Sequence, residues 1–577
     1  MIMSTASSPQ PFLPRFSDPR DVDEFVERLE AFERGEIDAE KFRMFRLLRG
    51  VYGQRQADEQ MLRVKIPMGI LGPEQLRVVA DVADQHSRGF GHVTTRQNIQ
   101  LHFVKMAEVE TALRRFDDVG LTTREACGNS VRNVTACELA SVCSGAAFDV
   151  TPHAEALVRH FLRHPLSSSL PRKFKIAFSG CDSDCAFGAI HDLGFIAKLQ
   201  DGQQGFKVYA AGGLSTTPQA AITLEPFVPA GELGRVGEAI VRLFHALGKR
   251  DNKARARMKY VLRRLGEEGF RAAYAEQRSA VDAEAMAELK LPDNPANPPA
   301  PPVESPEARP AEGYLAWRSG SVVDQRQDGY AAVYVRLVLG DVTSAQMRAL
   351  ADLLPRFGDG TLRLTIDQNL LIPWVHQRSL PALYRELAAI DLARTGVHTA
   401  RDVTSCPGAE TCNLAVTSSR NVARAIAERL EQSDVQGSGA LADTTIKISG
   451  CPNSCGQHHV ADIGWHGAAK TVGGKTFPMY QLHLGGGVDS DGARFGRQVV
   501  KVVARRVPEA VVVLLGLYDR EKQGAETPAD FYRRVDPKVV VAALGDLVAS
   551  APEDPELQDV GVDHGFEVAI GVGECAA

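Results

Sequence analysis

One segment occurs in two copies and decides how this chain folds: VTTRQNIQLHFV at residues 93–104 and LTIDQNLLIPWV at residues 364–375. Further along, VRNVTAC at 131–137 is echoed by ARDVTSC at 400–406, and Ser179-Gly180-Cys181 by Ser449-Gly450-Cys451. Asp192-Leu193-Gly194-Phe195 likewise returns as Asp462-Ile463-Gly464-Trp465. Matching positions stand 269 to 271 residues apart, which makes this a duplication of two long units rather than a solenoid of short ones. Between the copies, residues 291–312 (LPDNPANPPAPPVESPEARPAE) hold eight prolines and read as an extended connector. Short β-branched or alternating runs (QNIQLHFV, KFKIAFS, GFKVYAA; LRLTI, TTIKIS, MYQLHL) alternate with helical stretches such as PEQLRVVADVADQHS and TSAQMRALADLLPRF. The expected class is α+β, with α/β layering.

The chain has 577 residues, too many for one ordinary core. Its net charge of -6, with 24% charged residues, argues against a nucleic-acid platform built on bulk positive charge, so any anion site must be local. The start, MIMSTASSPQPFLPRF, lacks a basic segment followed by an apolar run, and no window of about 18 apolar residues offers a membrane span. A soluble cytoplasmic protein is expected, with no nucleic-acid or membrane partner.

Eight of the ten cysteines form two quartets: Cys137-x5-Cys143 with Cys181-x3-Cys185, and Cys406-x5-Cys412 with Cys451-x3-Cys455. Buried apolar roles would suit one stray pair, but two quartets in register call for a soft metal centre, zinc or iron–sulfur. Zinc modules commonly use two short knuckles close together, whereas here the pairs are separated by 37 and 38 residues, a spacing that favours a cubane cluster. Cys127 and Cys575 fall outside the repeat and read as a buried small residue and a tail thiol.

Cys406-x5-Cys412 and Cys451-x3-Cys455, with Pro after the first Cys of each pair, resemble the signature of the sirohaem-containing sulfite and nitrite reductases. The resemblance spans about residues 40–548 and includes the duplication. It implies two pseudo-twofold repeats, each a ferredoxin-like half-domain followed by a sirohaem/[4Fe–4S]-type α/β domain. The expected divisions are an arm and helical segment 1–55, half-domain 56–122, cluster-type domain 123–290, linker 291–312, half-domain 313–395, cluster-binding domain 396–550 and an acidic surface tail 551–577.

The resemblance also implies the cofactors and site residues. One [4Fe–4S] cluster would sit on Cys406, Cys412, Cys451 and Cys455, with Cys455 also the axial ligand of the sirohaem iron. Met61-Leu62-Arg63, Thr95-Arg96-Gln97, Arg132-Asn133 and Leu170-Pro171-Arg172-Lys173-Phe174-Lys175 match the anion- and cofactor-binding segments. Arg63, Arg132, Lys173 and Lys175 would then surround the substrate, while Arg96, Gln100, Arg172 and Lys259 would meet sirohaem carboxylates. An iron-bound oxyanion requires concentrated positive charge and protons, and a macrocycle with eight carboxylates requires a basic bed. The run Arg250–Lys259 is a candidate for that bed, although taken alone it reads as a solvated helix face.

Comparing the repeats assigns the work. Arg96 is answered by Asp367, and Lys173 and Lys175 by Asp443 and Thr445, so the second copy lacks the anion grip. One active site is expected, with cluster and axial Cys from the C-terminal half and cations from the N-terminal half. Whether Cys137, Cys143, Cys181 and Cys185 hold a second cluster is left open; this copy lacks the prolines of the other. His92 stands where relatives can place an arginine. His458 and His459 are read as groups behind the cluster or on the surface rather than zinc ligands. The turns at Ala211-Gly212-Gly213 and Gly485-Gly486-Gly487 lack any dinucleotide fingerprint and read as related turns of the repeat.

The functional expectation is assimilatory reduction of sulfite to sulfide, with electrons from ferredoxin or a separate flavoprotein, since no flavin or nicotinamide motif is visible. Lys175 inclines the choice toward sulfite because nitrite-reducing relatives tend to carry asparagine there. Nitrite reduction to ammonia on the same scaffold is the alternative. A metal-binding electron carrier without catalysis is the alternative of another class. The oligomeric state is left open, a monomer included.

Overall fold

The computed structural model describes residues 13–292, 311–433, 439–549, 551, 554–569, 571 and 574. Residues 1–12 of the arm, most of the proline-rich connector (293–310) and Cys575 lie outside the described residues.

Among the described residues, twenty-two strands are distributed as the repeats require. The first half-domain contains β1 (Val51–Gly53), β2 (Glu59–Val64), β3 (Ile70–Leu71), β4 (Phe90–Val93) and β5 (Ile99–Lys105); the α/β domain after it contains β6 (Val131–Ala136), β7 (Phe174–Ser179), β8 (Leu193–Gln200), β9 (Gln203–Ala210) and β10 (Ile222–Pro229). The second half-domain contains β11 (Val322–Asp324), β12 (Tyr330–Val335), β13 (Asp341–Thr343), β14 (Leu362–Leu364) and β15 (Leu370–His376). The last domain contains β16 (Thr404–Ser405), β17 (Ile446–Ser449), β18 (Ile463–Val472), β19 (Lys475–Leu484), β20 (Gly487–Asp489), β21 (Gly492–Arg494) and β22 (Arg497–Val503).

The half-domain sheets exchange their edges. The first is ordered β1-β2-β5-β4-β13 and the second β11-β12-β15-β14-β3, so each takes its last strand from the other repeat. Gly69 and Gly340 make the turns into these strands at φ +74, and a Cβ on either would strike a carbonyl of the opposite repeat, Leu364 O at 2.6 Å and Val93 O at 2.8 Å. Only glycine fits such a close approach at positive φ. Gln97 and Gln368 fasten the same crossings: Gln97 Nε2 donates to Ala136 O and Leu364 O, and Gln368 Nε2 to Val93 O.

Sequence patterning explains the helices that close these sheets. Thr343 caps Ser344–Phe357 by accepting from Gln346 N at 3.2 Å, while Gln346 Oε1 accepts from Thr343 N. Met347, Leu350, Ala351 and Leu354 then line one buried face at helical spacing. Pro73–His86 does the same with Leu76, Val79, Ala80 and Ala83. Both faces meet in one apolar core shared by the two half-domains, whereas each α/β domain has a core of its own.

Each α/β domain contains three parallel strands followed by antiparallel ones, in the orders β10-β9-β8-β7-β6 and β16-β17-β18-β19-β22. Loops leaving the C-terminal ends of neighbouring parallel strands converge, which is where α/β sheets place their sites. Both cysteine quartets occupy that position: Cys137 follows β6 and Cys181 follows β7, as Cys406 follows β16 and Cys451 follows β17.

Described residues of the surface tail after 550 are tied to the body of the chain. Asp559 is buried and accepts from Ser418 N at 2.7 Å, Gly571 N donates to Asn413 O, and Glu574 accepts from Gly53 N at 2.6 Å and pairs with Arg46. No helix among the described residues is long and apolar enough to cross a membrane.

Candidate active site between the repeats

The cluster loops of the C-terminal half are tightly built. Gly450 N donates to Cys406 Sγ at 3.2 Å, a bond that favours the thiolate a metal needs. A Cβ on Gly450 would meet Gly408 Cα at 2.9 Å, so the loops carrying the two cysteine pairs touch at their backbones. In the C-x3-C turn, Ser454 and Gln457 take left-handed backbone (φ 59 and 63), as Asp184 and Phe187 do 270 positions earlier (φ 50 and 57). Burial, then the neighbouring Cys455 and Cys406, push the Cys412 thiol up to about 12, and the same causes raise Cys451; burial and Cys455 raise Cys406. Four mutually adjacent thiols, destabilised as separate thiolates by burial and one another, fit a cluster whose irons neutralise them.

The N-terminal half reaches these loops directly. Thr95 Oγ1 donates to Cys455 O at 3.0 Å, His459 Nε2 lies 3.0 Å from Ser215 O, and Arg55 N donates to Thr411 O at 2.9 Å. Facing Cys455 is a group of cations. Lys175 is pushed well below its ordinary value by burial and by Arg96, Arg257 and Lys173, while Cys455 opposes the shift. Burial lowers Arg96, with Asp192 opposing and Arg132 and Arg257 adding. Lys259 is almost fully buried and lowered to about 7 by burial, then by Arg257 and Arg263.

Cross-strand register assembles another part. Arg63 on β2 is opposite Gln100 on β5, His92 on β4 is opposite the same Gln100, and Asp341 on β13 is opposite His92. With its carboxamide oxygen turned to the guanidinium, Gln100 accepts from Arg63 Nε at 3.0 Å. Arg132 donates to Gly128 O and to Ala126 O, and Arg63 to the same Ala126 O. Arg172 lies 3.5 Å from Asn129 Oδ1. Among the described residues, Arg96, Arg132 and Lys259 donate to carbonyls, a hydroxyl and an imidazole and to no carboxylate. Buried cations held this way are expensive without anions, and a macrocycle with eight carboxylates supplies them, so this donor set fits sirohaem. The basic run divides: Lys253 and Arg255 are exposed, whereas Arg257 and Lys259 turn inward and Arg257 pairs with Asp192 at 2.8 Å.

One residue near the site, Arg420, escapes sequence reading. His92 is buried, with Nδ1 3.1 Å from Asp341 Oδ1, and Arg420 at the start of helix Ser419–Glu431 joins the same carboxylate and approaches His92 Nδ1 at 3.3 Å. The cation absent at position 92 is thus supplied from the C-terminal half. Its only sequence signal is an arginine eight positions after Cys412.

The pseudo-equivalent pocket has a different content. Cys137 and Cys185 are 3.2 Å apart at Sγ, and Cys181 Sγ is 2.9 Å from Ser183 Oγ. What faces them is Glu138, bonded by Tyr334 Oη, and the ion pair of half-buried Asp367 with buried Lys447. Tyr334, Ala332, Leu371 and Val397 pack there as an apolar cluster. Tyr334 occupies the register position of Arg63, and Asp367 that of Arg96, so the second repeat fills with side chains the space that the first lines with cations.

Comparisons with known proteins agree with this geometry. The model for "Nitrite and sulphite reductase 4Fe-4S domain" matches residues 127–282 and 396–537, and that for "Nitrite/Sulfite reductase ferredoxin-like half domain" matches 52–119 and 323–390. The chain is 31% identical over 442 residues to a protein named sulfite reductase [ferredoxin] from Mycobacterium tuberculosis (strain ATCC 25618 / H37Rv), covering 76% of this chain and 75% of that one. It is also 31% identical over 466 residues to a ferredoxin–nitrite reductase from Synechococcus elongatus, covering 79% and 85%. The solved structure of Mycobacterium tuberculosis NirA protein superposes with a TM-score of 0.75 at 28% identity, over 90% of this chain and 97% of that one. The alternative of a non-catalytic carrier falls with these matches: the chain belongs to the nitrite and sulfite reductase family, oxidoreductases built on sirohaem and a [4Fe–4S] cluster.

Proposed function

We propose that the chain reduces sulfite to sulfide, taking six electrons from a ferredoxin. The observation that carries the choice of substrate is Lys175, a second lysine beside Lys173 in the cation group that faces Cys455. Relatives named for sulfite and for nitrite are equally similar to the chain, so overall identity does not decide, and ferredoxin stands in the names of both.

Arg63, Arg132, Lys173 and Lys175 hold the oxyanion, and Arg96, Gln100, Arg172 and Lys259 hold the macrocycle's carboxylates. When bound, sirohaem and the cluster would supply electrons one at a time to the central atom of the substrate. Each oxygen leaves as water, so protons must arrive at the same rate. Lys175 Nζ is suited to give them: burial and the neighbouring Arg96, Arg257 and Lys173 weaken its hold on the proton, and an arriving dianion brings the proton to where it is needed. Sulfite carries more charge than nitrite and loses three oxygens instead of two, which is the demand a second ammonium meets.

The test is kcat/KM for sulfite and for nitrite with reduced ferredoxin, in the wild type and in Lys175→Asn. The wild type should prefer sulfite and the variant should shift by about tenfold or more toward nitrite, equivalent to about 1.4 kcal/mol of differential stabilisation. An unchanged ratio removes the reason for placing sulfite first.

A further inference from the structure

Behind the cluster loop lies a group of histidines that the reductase chemistry does not use. His458 and His459 open the short turn His458–Val460, His466 is on β18 and His483 on β19. All four are buried, so of the two places read for His458 and His459, behind the cluster or on the surface, the surface does not hold. On the β18–β19 ladder His466 is opposite Gln481 and His483 opposite Gly464, which makes the two histidines diagonal neighbours on one face. His458 comes down on that face from the turn. The three rings stand in a near-equilateral triangle, every pair of centroids 4.9 Å apart. One nitrogen from each ring lies within 4.8 Å of the others.

Hydrogen bonding explains two of these rings and leaves the third. His466 Nδ1 is 2.8 Å from His483 Nε2, and His483 Nδ1 is 3.4 Å from Gly496 O. His458 is fully buried with neither ring nitrogen partnered. A neutral imidazole always has one N–H and one lone pair, and leaving both unmet in the interior carries the desolvation penalty of each group. Burial lowers all three, reinforced by neighbouring rings at His458 and His466 and opposed at His483 by Gly496 O, and favours the neutral form that ligates metals.

We propose that His458, His466 and His483 form a site for one divalent transition metal of the zinc type, separate from the iron–sulfur cluster. Bonds of about 2.0–2.1 Å at tetrahedral angles put three ligating nitrogens roughly 3.3 Å apart. The observed triangle reaches that arrangement by small ring rotations, with the 2.8 Å pair opening and His458 moving inward. The metal takes the lone pair that His458 cannot otherwise place. His483 Nδ1–H then points at Gly496 O, the type of carbonyl that fixes the tautomer of a metal-bound histidine. Three imidazoles with no carboxylate disfavour the hard cations magnesium and calcium and suit zinc. The bound ion would join the turn after Cys455 to the β18–β19 ribbon and, through His459 and Ser215, to the other repeat.

The test equilibrates the holoenzyme with zinc, removes loose metal by gel filtration, counts zinc and iron per chain and records the zinc-edge X-ray absorption. The wild type should retain about one zinc with a nitrogen shell near 2.0–2.1 Å. His466→Gln and His483→Gln should each lose it while keeping their iron. No retained zinc in the wild type overturns the proposal, and so does a sulfur shell near 2.3 Å, which would place the ion on a cysteine quartet. Zinc held unchanged in either variant overturns it as well. Should a variant fail to fold, the wild-type shell decides alone.

Discussion

At the residue scale, ligand chemistry made part of the site legible and three-dimensional partnership hid the rest. Few residue types bind soft metals, so two cysteine quartets in register announce themselves. Cys455→Ser is expected to remove pigment, cluster and turnover together, whereas Cys185→Ser, facing Glu138 and the Asp367–Lys447 pair, should retain most turnover; equal loss in spectra and assays would reverse the assigned division. His102 shows the other kind of residue. It is buried on β5 and held down to about 3 by burial, then by His92 and Arg420, against an ordinary value of 6.5. Between those values the unfolded chain takes a proton that the folded one refuses. Stability therefore falls as pH drops through that window, by up to about 1.4 kcal/mol per pH unit. His102→Asn should show a shallower decline in melting temperature between about pH 6.5 and pH 5, and a slope equal to wild type would show that the ring is not the source. Nothing around His102, Arg420 or His466 marks them in sequence, because their partners are brought by strand register.

At the element scale, the strong signals were right where periodicity was long. The stretches PEQLRVVADVADQHS and TSAQMRALADLLPRF form the expected helices, and the six quoted β-runs fall on or across strands. The strand exchange was not legible, because β3 and β13 have two and three residues, too few for any alternation to show. Glycine chemistry offers a measure of that exchange. Gly340→Ala would combine φ +74 with a Cβ 2.8 Å from Val93 O and 3.0 Å from Gln368 Cβ. Gly329→Ala, at φ +81 with nothing within 4 Å, adds only the backbone term. The second should cost about 1 kcal/mol and the first at least about 2 kcal/mol more in urea unfolding. Equal costs would mean that the crossing tolerates separation.

At the scale of the whole molecule, duplication gave two similar pockets and the structure keeps one open to charge. The N-terminal copy supplies Arg63, Arg96 and Lys175; the C-terminal copy puts Tyr334, Asp367 and Thr445 at those positions and packs Leu371 and Val397 against the first. The loss was readable from the charges, but the filling was not, since it depends on side chains from different strands meeting. Because the half-domains share one core and trade edges, neither repeat should be a unit by itself. Residues 13–292 expressed alone should aggregate or unfold without cooperativity, and a monodisperse, cooperatively melting fragment would contradict that. A ribosome makes the chain in order, which turns the exchanged strands into a delay. The edge of β4 waits for Asp341–Thr343, roughly 250 residues later, on the order of tens of seconds at ordinary synthesis rates. Throughout that interval the first sheet presents an unpaired border to every other nascent chain, so the protein's yield in cells should depend on chaperone supply more than its finished stability would suggest.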